Sequence, residues 1–147
     1  MRRKEDVQIK MNRERFKKIL DEYYSHSPPT KFVLSVDFDN TLCYSTYPLG
    51  GKPTPVVKFL HSIADLDFVL IVNTCRHTAV AEMIAKRWCR RYGIEWDYWN
   101  ENDPARIARW GDCRKIACIL SPLFGLRVMP TVMMWYLWTN TNLKKNM

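Results

Sequence analysis

The chain has 147 residues, a formal net charge of +8, 47% hydrophobic residues and five cysteines. That length supports one core and not two. Cys43, Cys75, Cys89, Cys113 and Cys118 form no Cys-x-x-Cys pair, and His26, His61 and His77 show no metal-ligand spacing. A disulfide framework and a zinc site are therefore not indicated. Nothing apolar follows Met1-Arg2-Arg3-Lys4, so no secretory signal is expected, and a reducing cytoplasm is the expected setting.

The positive charge is uneven. Residues 1–30 carry eight basic and five acidic groups, residues 31–112 ten of each, and residues 113–147 five basic groups and no acid. The excess lies outside the central segment, which argues against a basic nucleic-acid groove built into the fold.

In chain order, Phe16, Ile19, Leu20 and Tyr23 recur at i, i+3, i+4 and i+7, the stripe of an amphipathic helix. Its lysines and arginines read as solvated helix charge, and the run from Ser25 to Thr30, with Pro28 and Pro29, ends it. Residues 1–30 are therefore read as a basic N-terminal helix and linker. Phe32 to Val36 is apolar and β-branched enough for a buried parallel strand. It runs into Asp37-Phe38-Asp39-Asn40-Thr41. Alternation on an extended backbone sends Asp37 and Asp39 to the same side, at the strand's carboxyl end, where open α/β sheets keep ligands. Two carboxylates so close repel each other, with one pKa raised, unless a cation lies between them. The pair points to a Mg²⁺ site, a nucleophile beside an acid/base, or both.

Cys43 to Pro53, with Pro48, Gly50 and Gly51, reads as a loop. Thr54-Pro55 opens a helix, with Thr as N-cap and Pro at the first position, and Val56, Phe59, Leu60 and Ile63 form its buried stripe. Phe68 to Asn73 is a second strand, followed by Thr74. Thr78 caps a third helix with Val80, Met83, Ile84, Trp88 and Tyr92 on one face, closed by a left-handed Gly93. Lys86, Arg87, Arg90 and Arg91 sit in its last turns, favourable to the dipole and at the wrong end for an anion site. Ile94 to Trp99 reads as a third strand and Pro104 to Trp110 as a short helix. This alternation predicts an α/β fold, a Rossmann-like parallel sheet with flanking helices in a single domain.

Asp37-x-Asp39-x-Thr41 after a hydrophobic strand, then a second hydrophobic strand ending in Thr74, resembles the first two motifs of the haloacid dehalogenase-like (HAD) hydrolases, mostly Mg²⁺-dependent phosphatases. Cys75-Arg76, Trp88-Cys89 and the stretch from Gly93 to Asn102 resemble small members with little or no cap. The match covers roughly residues 31–118, read as the HAD-like domain. The resemblance implies that Asp37 attacks phosphorus and that Asp39 acts as general acid and then as base. It implies Mg²⁺ held at Asp37 and Asp39, with the Asp39 contact through its backbone carbonyl. Asn40 replaces a frequent glycine, and Thr41 would brace the loop. Thr74 would donate its hydroxyl to a phosphate oxygen, and backbone N–H groups opening the next helix would do the same. Arg76 would reach a substrate anion or form a structural salt bridge, and Lys115, in Arg114-Lys115-Ile116-Ala117, would offset charge at the aspartyl-phosphate. The loop from Cys43 would be a short flap, with Tyr44, Tyr47 and Lys52 nearest the leaving group.

The family's fourth motif, an apolar strand ending in aspartates that complete the metal shell, is absent. Nothing beyond Asp112 is acidic, and residues 119–147 form an atypical apolar and basic tail. An altered end of a formerly intact gene, a fold that has lost catalysis, or a metal contact from Asp97, Asp103 or Asp112 would each account for this. Ile116 to Trp138 carries one charge, Arg127, but that charge near its middle and Pro122 and Pro130 argue against a membrane span. The expected function is a Mg²⁺-dependent phosphomonoester hydrolase acting on a small phosphorylated substrate through an aspartyl-phosphate. The alternative is a non-catalytic HAD-like module that binds a phospholigand or a protein. A nucleic-acid partner held by the N-terminal helix is a less favoured third.

Overall fold

The computed structural model describes residues 2–110 and 117–119. The elements run α1 (Arg2–Ser25), β1 (Val33–Asp37), α2 (Pro55–Ser62), β2 (Val69–Asn73), α3 (Ala79–Arg91), β3 (Tyr98–Trp99), α4 (Pro104–Trp110) and β4 (Ala117–Ile119). The four strands form one parallel sheet in the order β3-β2-β1-β4. This is the expected Rossmann-like α/β arrangement in one domain.

Strand alternation divides the apolar residues between two faces. Leu34, Val36, Leu70 and Val72 join Phe16 and Leu20 of α1, Phe59 and Leu60 of α2, and Ala85 and Trp88 of α3 in the main core. Val33, Val69 and Ile71 form a smaller cluster with Tyr98. Burial on both faces explains why these strands read as continuous apolar runs rather than alternating ones. Phe16 is a hub of the main core, edge-on to Phe32, Phe59 and Phe68 at centroid distances of 5.7, 6.1 and 5.3 Å.

The capping residues behave as their chemistry predicts. The Thr54 hydroxyl accepts from the Val56 N–H at 3.2 Å and donates to the Thr41 carbonyl, and the Thr78 hydroxyl accepts from Ala81 N–H at 3.1 Å. Gly93 follows α3 with φ +70°. Of the basic groups on α1, Arg13 is committed to packing, bonded to the Ser62 carbonyl and the Asp65 carboxylate at the end of α2.

Two boundaries differ from expectation. β1 begins at Val33 because the Phe32 N–H donates to the Tyr24 hydroxyl instead of a strand. The third strand shortens to Tyr98–Trp99, since Ile94 N–H returns to the Cys89 carbonyl and Ile94 is spent packing the end of α3 into the core.

The connectivity fixes where a ligand belongs. From β1 the chain proceeds through α2 to β2 on one side, while α4 leads from β3 to β4 on the other. The direction of growth reverses at β1, so the crevice at the carboxyl ends of β1 and β4 is the topological switch point. Asp37 is the last residue of β1.

Candidate active site

Asp37 pairs in register with Asn73, so Thr74 lies one residue beyond it on the neighbouring strand. The residues that the two sequence motifs singled out thus lie on neighbouring strands at the same, carboxyl edge of the sheet. Asn40 adopts φ +58°, a left-handed conformation that asparagine tolerates well. The N–H groups of Thr41, Leu42 and Cys43 all converge on the Phe38 carbonyl at 3.0–3.3 Å, which folds the chain sharply back over Asp37. Thr41 donates its hydroxyl to Asp37 Oδ2 at 3.5 Å, the bracing role expected of it.

The two aspartates sit in contrasting environments. Among the described residues no cationic group lies within ion-pair distance of Asp37. Burial pushes its carboxyl up to about 6; the Phe38 N–H opposes that shift, the Asp39 charge adds to it, and the Thr41 hydroxyl opposes it weakly. Asp39 instead faces Arg76, whose Nε donates to Oδ2 at 2.9 Å and Nη2 to Oδ1 at 2.8 Å. Ser45 adds its hydroxyl to Oδ1 at 3.2 Å.

Arg76 is the structural centre of the site. Besides Asp39, its Nη1 donates to the carbonyls of Pro48 and Ala81 at 2.6 and 3.1 Å, and its Nη2 to that of Leu49 at 3.1 Å. A guanidinium has five N–H donors, and these contacts occupy all five. It is 3% exposed and raised above its usual basicity, chiefly by the Asp39 hydrogen bonds. This revises the expectation that Arg76 binds a substrate anion: the side chain is saturated within the protein, and the salt-bridge alternative is the one realised. It also limits Asp39 as a metal ligand, since its carboxylate is taken and only its backbone carbonyl is left for a cation.

The loop after the aspartates is a small flap. Tyr44 N–H bonds the Lys52 carbonyl at 2.9 Å, Cys43 bridges to Pro53, and a turn closed by Leu49 N–H on the Thr46 carbonyl at 3.0 Å forms the tip. Its carbonyls hold it down on α3: Pro48 and Leu49 through Arg76, and Gly51 through Trp88 Nε1 at 2.8 Å. A Cβ on Gly50 would overlap the Trp88 indole, so the close approach of flap and helix requires glycine there.

Thr74 is buried, and its hydroxyl oxygen accepts from the Arg76 N–H at 3.3 Å, which leaves the hydroxyl proton free to donate. Its own N–H is held by Asn100 Oδ1 at 2.6 Å. Asn100, at φ +55° directly after β3, positions the Thr74 loop from the neighbouring strand and was not anticipated. An asparagine at the end of a strand, a residue that tolerates left-handed geometry, is the sequence signal that could have found it.

The remaining candidates divide by position. Lys115, Asp112 and the segment after Ile119 lie outside the described residues. Asp97 is at the opposite, amino edge of the sheet, where Oδ2 accepts from Leu70 N–H at 2.8 Å. Asp103 caps α4 by accepting from Ala105 N–H at 3.1 Å. Among the described residues no group of three histidine, cysteine, aspartate or glutamate side chains could hold a metal, and no helix is long and apolar enough to cross a membrane.

No protein-family model and no curated protein matches the chain. A solved structure of a conserved protein coded by a locus from Bacteroides thetaiotaomicron is similar to it. The two share 23% identity over 76% of this chain and 93% of that one, with a TM-score of 0.51. The likeness is one of fold alone, and it supports the single α/β domain described above.

Proposed function

We propose that the protein is a Mg²⁺-dependent phosphomonoester hydrolase of the HAD type. The observation that supports this reading is Asp37: a partly buried carboxylate with no cationic partner among the described residues, at the switch point of a parallel sheet and one register step from Thr74. A group so placed is costly to keep ionised unless a cation joins it. Mg²⁺ keeps several waters and is commonly bound by one or two carboxylates plus substrate phosphate. The Asp37 carboxylate and the Asp39 carbonyl fit a site of that sparse kind. When bound, the ion would offset the charge of the phosphoryl group.

In this reading an Asp37 oxygen attacks phosphorus as the bond to the leaving oxygen breaks, and Asp39 supplies that oxygen's proton. Asp39 then takes a proton from the water that hydrolyses the aspartyl-phosphate and releases phosphate. Thr74 donates its hydroxyl to a phosphoryl oxygen. Arg76 orients Asp39 and ties the flap above it, and Asp39 turns from Arg76 to serve as acid. A reducing cytoplasm suits the unpaired Cys43, Cys75 and Cys89.

A second reading, a non-catalytic module for a phosphorylated ligand or a protein, is favoured by the sparse acidic donors and the locked Asp39. The two separate on one assay, phosphate release from a simple aryl phosphate with Mg²⁺. Hydrolysis that vanishes in Asp37→Asn supports the enzyme. Thermal stabilisation by the phosphate ester without any release supports the binding module.

A further inference from the structure

Arg76 does more than hold Asp39. Its guanidinium lies over two aromatic rings, 4.8 Å from the Phe38 centroid and 5.0 Å from that of Tyr47. The stack runs outward from the core: Phe38 is fully buried, Arg76 is 3% exposed and Tyr47 is 56% exposed. An exposed tyrosine is unremarkable by itself. Here, however, the ring rests on a cation whose five donors are all fixed, so its orientation is set from beneath. The same guanidinium grips both oxygens of Asp39, so ring and carboxylate are positioned by one rigid group.

The surroundings are apolar as well. Five of the eight large hydrophobic side chains exposed among the described residues belong to the flap (Tyr44, Tyr47, Leu49) or to the start of α3 (Val80, Met83). These two segments are joined by Arg76 through the carbonyls of Pro48, Leu49 and Ala81. Exposed apolar surface thus gathers around the candidate site, and the other three such side chains lie on α1 (Val7, Met11) and α4 (Ile107).

We propose that Tyr47 is a stacking platform for the leaving group, and that the site selects phosphate monoesters of planar aromatic alcohols over aliphatic ones. This rests on the phosphatase reading for its chemistry, but the binding preference is measurable without turnover. A ring laid on Tyr47 would extend the Phe38–Arg76–Tyr47 stack by one layer and place its phosphoester oxygen toward Asp39.

The test is calorimetric titration of the full chain with benzylphosphonate and with pentylphosphonate, both with Mg²⁺, alongside an assay for phenyl phosphate hydrolysis. The expected result is about three- to tenfold tighter binding of the benzyl compound. That preference should persist in Tyr47→Phe and disappear in Tyr47→Leu, with unchanged melting temperatures in both. Equal affinities, a preference that survives Tyr47→Leu, or no binding of either compound would overturn the platform. The hydrolysis assay reports separately on the enzyme: an aromatic preference without hydrolysis keeps the platform as a binding site and removes the phosphatase. Hydrolysis without that preference does the reverse.

Discussion

At the amino end of the sheet, charged groups are exposed or answered by partners. Lys31 pairs with Asp67 at 3.1 Å, Arg13 with Asp65 at 3.0 Å, and Asp97 accepts the otherwise unpaired Leu70 N–H. At the carboxyl end the distribution is lopsided. Asp39 receives all the charge compensation available from a saturated Arg76, while Asp37, two residues earlier, receives the Phe38 N–H, one long hydroxyl contact and no cation from the described residues. A chain optimised only for stability would share that compensation. The contrast leaves Asp37 without a cation among the described residues and gives Asp39 an orientation built into the fold.

The sharpest way to break the contrast is to remove Arg76. Arg76→Ala leaves Asp39 half-buried without its cation and frees three flap and helix carbonyls, so a loss of about 3–5 kcal/mol is expected in urea denaturation. Arg76→Lys should recover only part of it, because an ammonium cannot reproduce a bidentate fork. An unaffected midpoint in Arg76→Ala would show that the clamp contributes little.

Asp37→Asn should act in the opposite direction. The folded-state pKa of about 6 lies above the ordinary carboxyl value of 3.8. Folding thus favours the protonated acid, and the associated stability is complete below about pH 4 and lost as pH rises through 6. At pH 7–8, without Mg²⁺, the neutral amide should stabilise the protein by on the order of 2–3 kcal/mol. The gain should vanish below pH 4. Thermal melts across that range check it, and a destabilised Asp37→Asn at neutral pH would mean that the carboxylate is well compensated after all.

Gly50→Ala tests the flap half of the arrangement. The methyl would push Trp88 from its place and weaken its bond to the Gly51 carbonyl, for an expected cost of about 1–3 kcal/mol. Tryptophan fluorescence should report the displacement. The smallest effect expected is Thr78→Ala, which removes the α3 cap and should cost about 1 kcal/mol while leaving Arg76 in place.

The parts of this architecture that depend on local chemistry were legible in the sequence. Thr54-Pro55, Thr78 and Gly93 each act within a turn of their own position, and the two apolar strands announce a sheet buried on both faces. The aspartate pair and Thr74 could be brought to one edge because both follow strands directly. Arg76 was ambiguous for a physical reason. Three of its five acceptors are backbone carbonyls, two of them on a flap some 27 residues away, and carbonyls carry no residue signature. Asn100 escaped for a similar reason, since its partner is the Thr74 N–H on another strand. The third strand was overdrawn because Ile94 and Trp96 are apolar for the sake of the helix core rather than for the sheet.

The most direct test of the role assigned to Asp37 is an acid quench of the protein during reaction with a labelled aryl phosphate and Mg²⁺. Label should remain covalently on the wild-type chain, be removed by hydroxylamine, and be absent from Asp37→Asn. Label retained equally by Asp37→Asn, or phosphate released with none ever on the protein, would contradict the assignment.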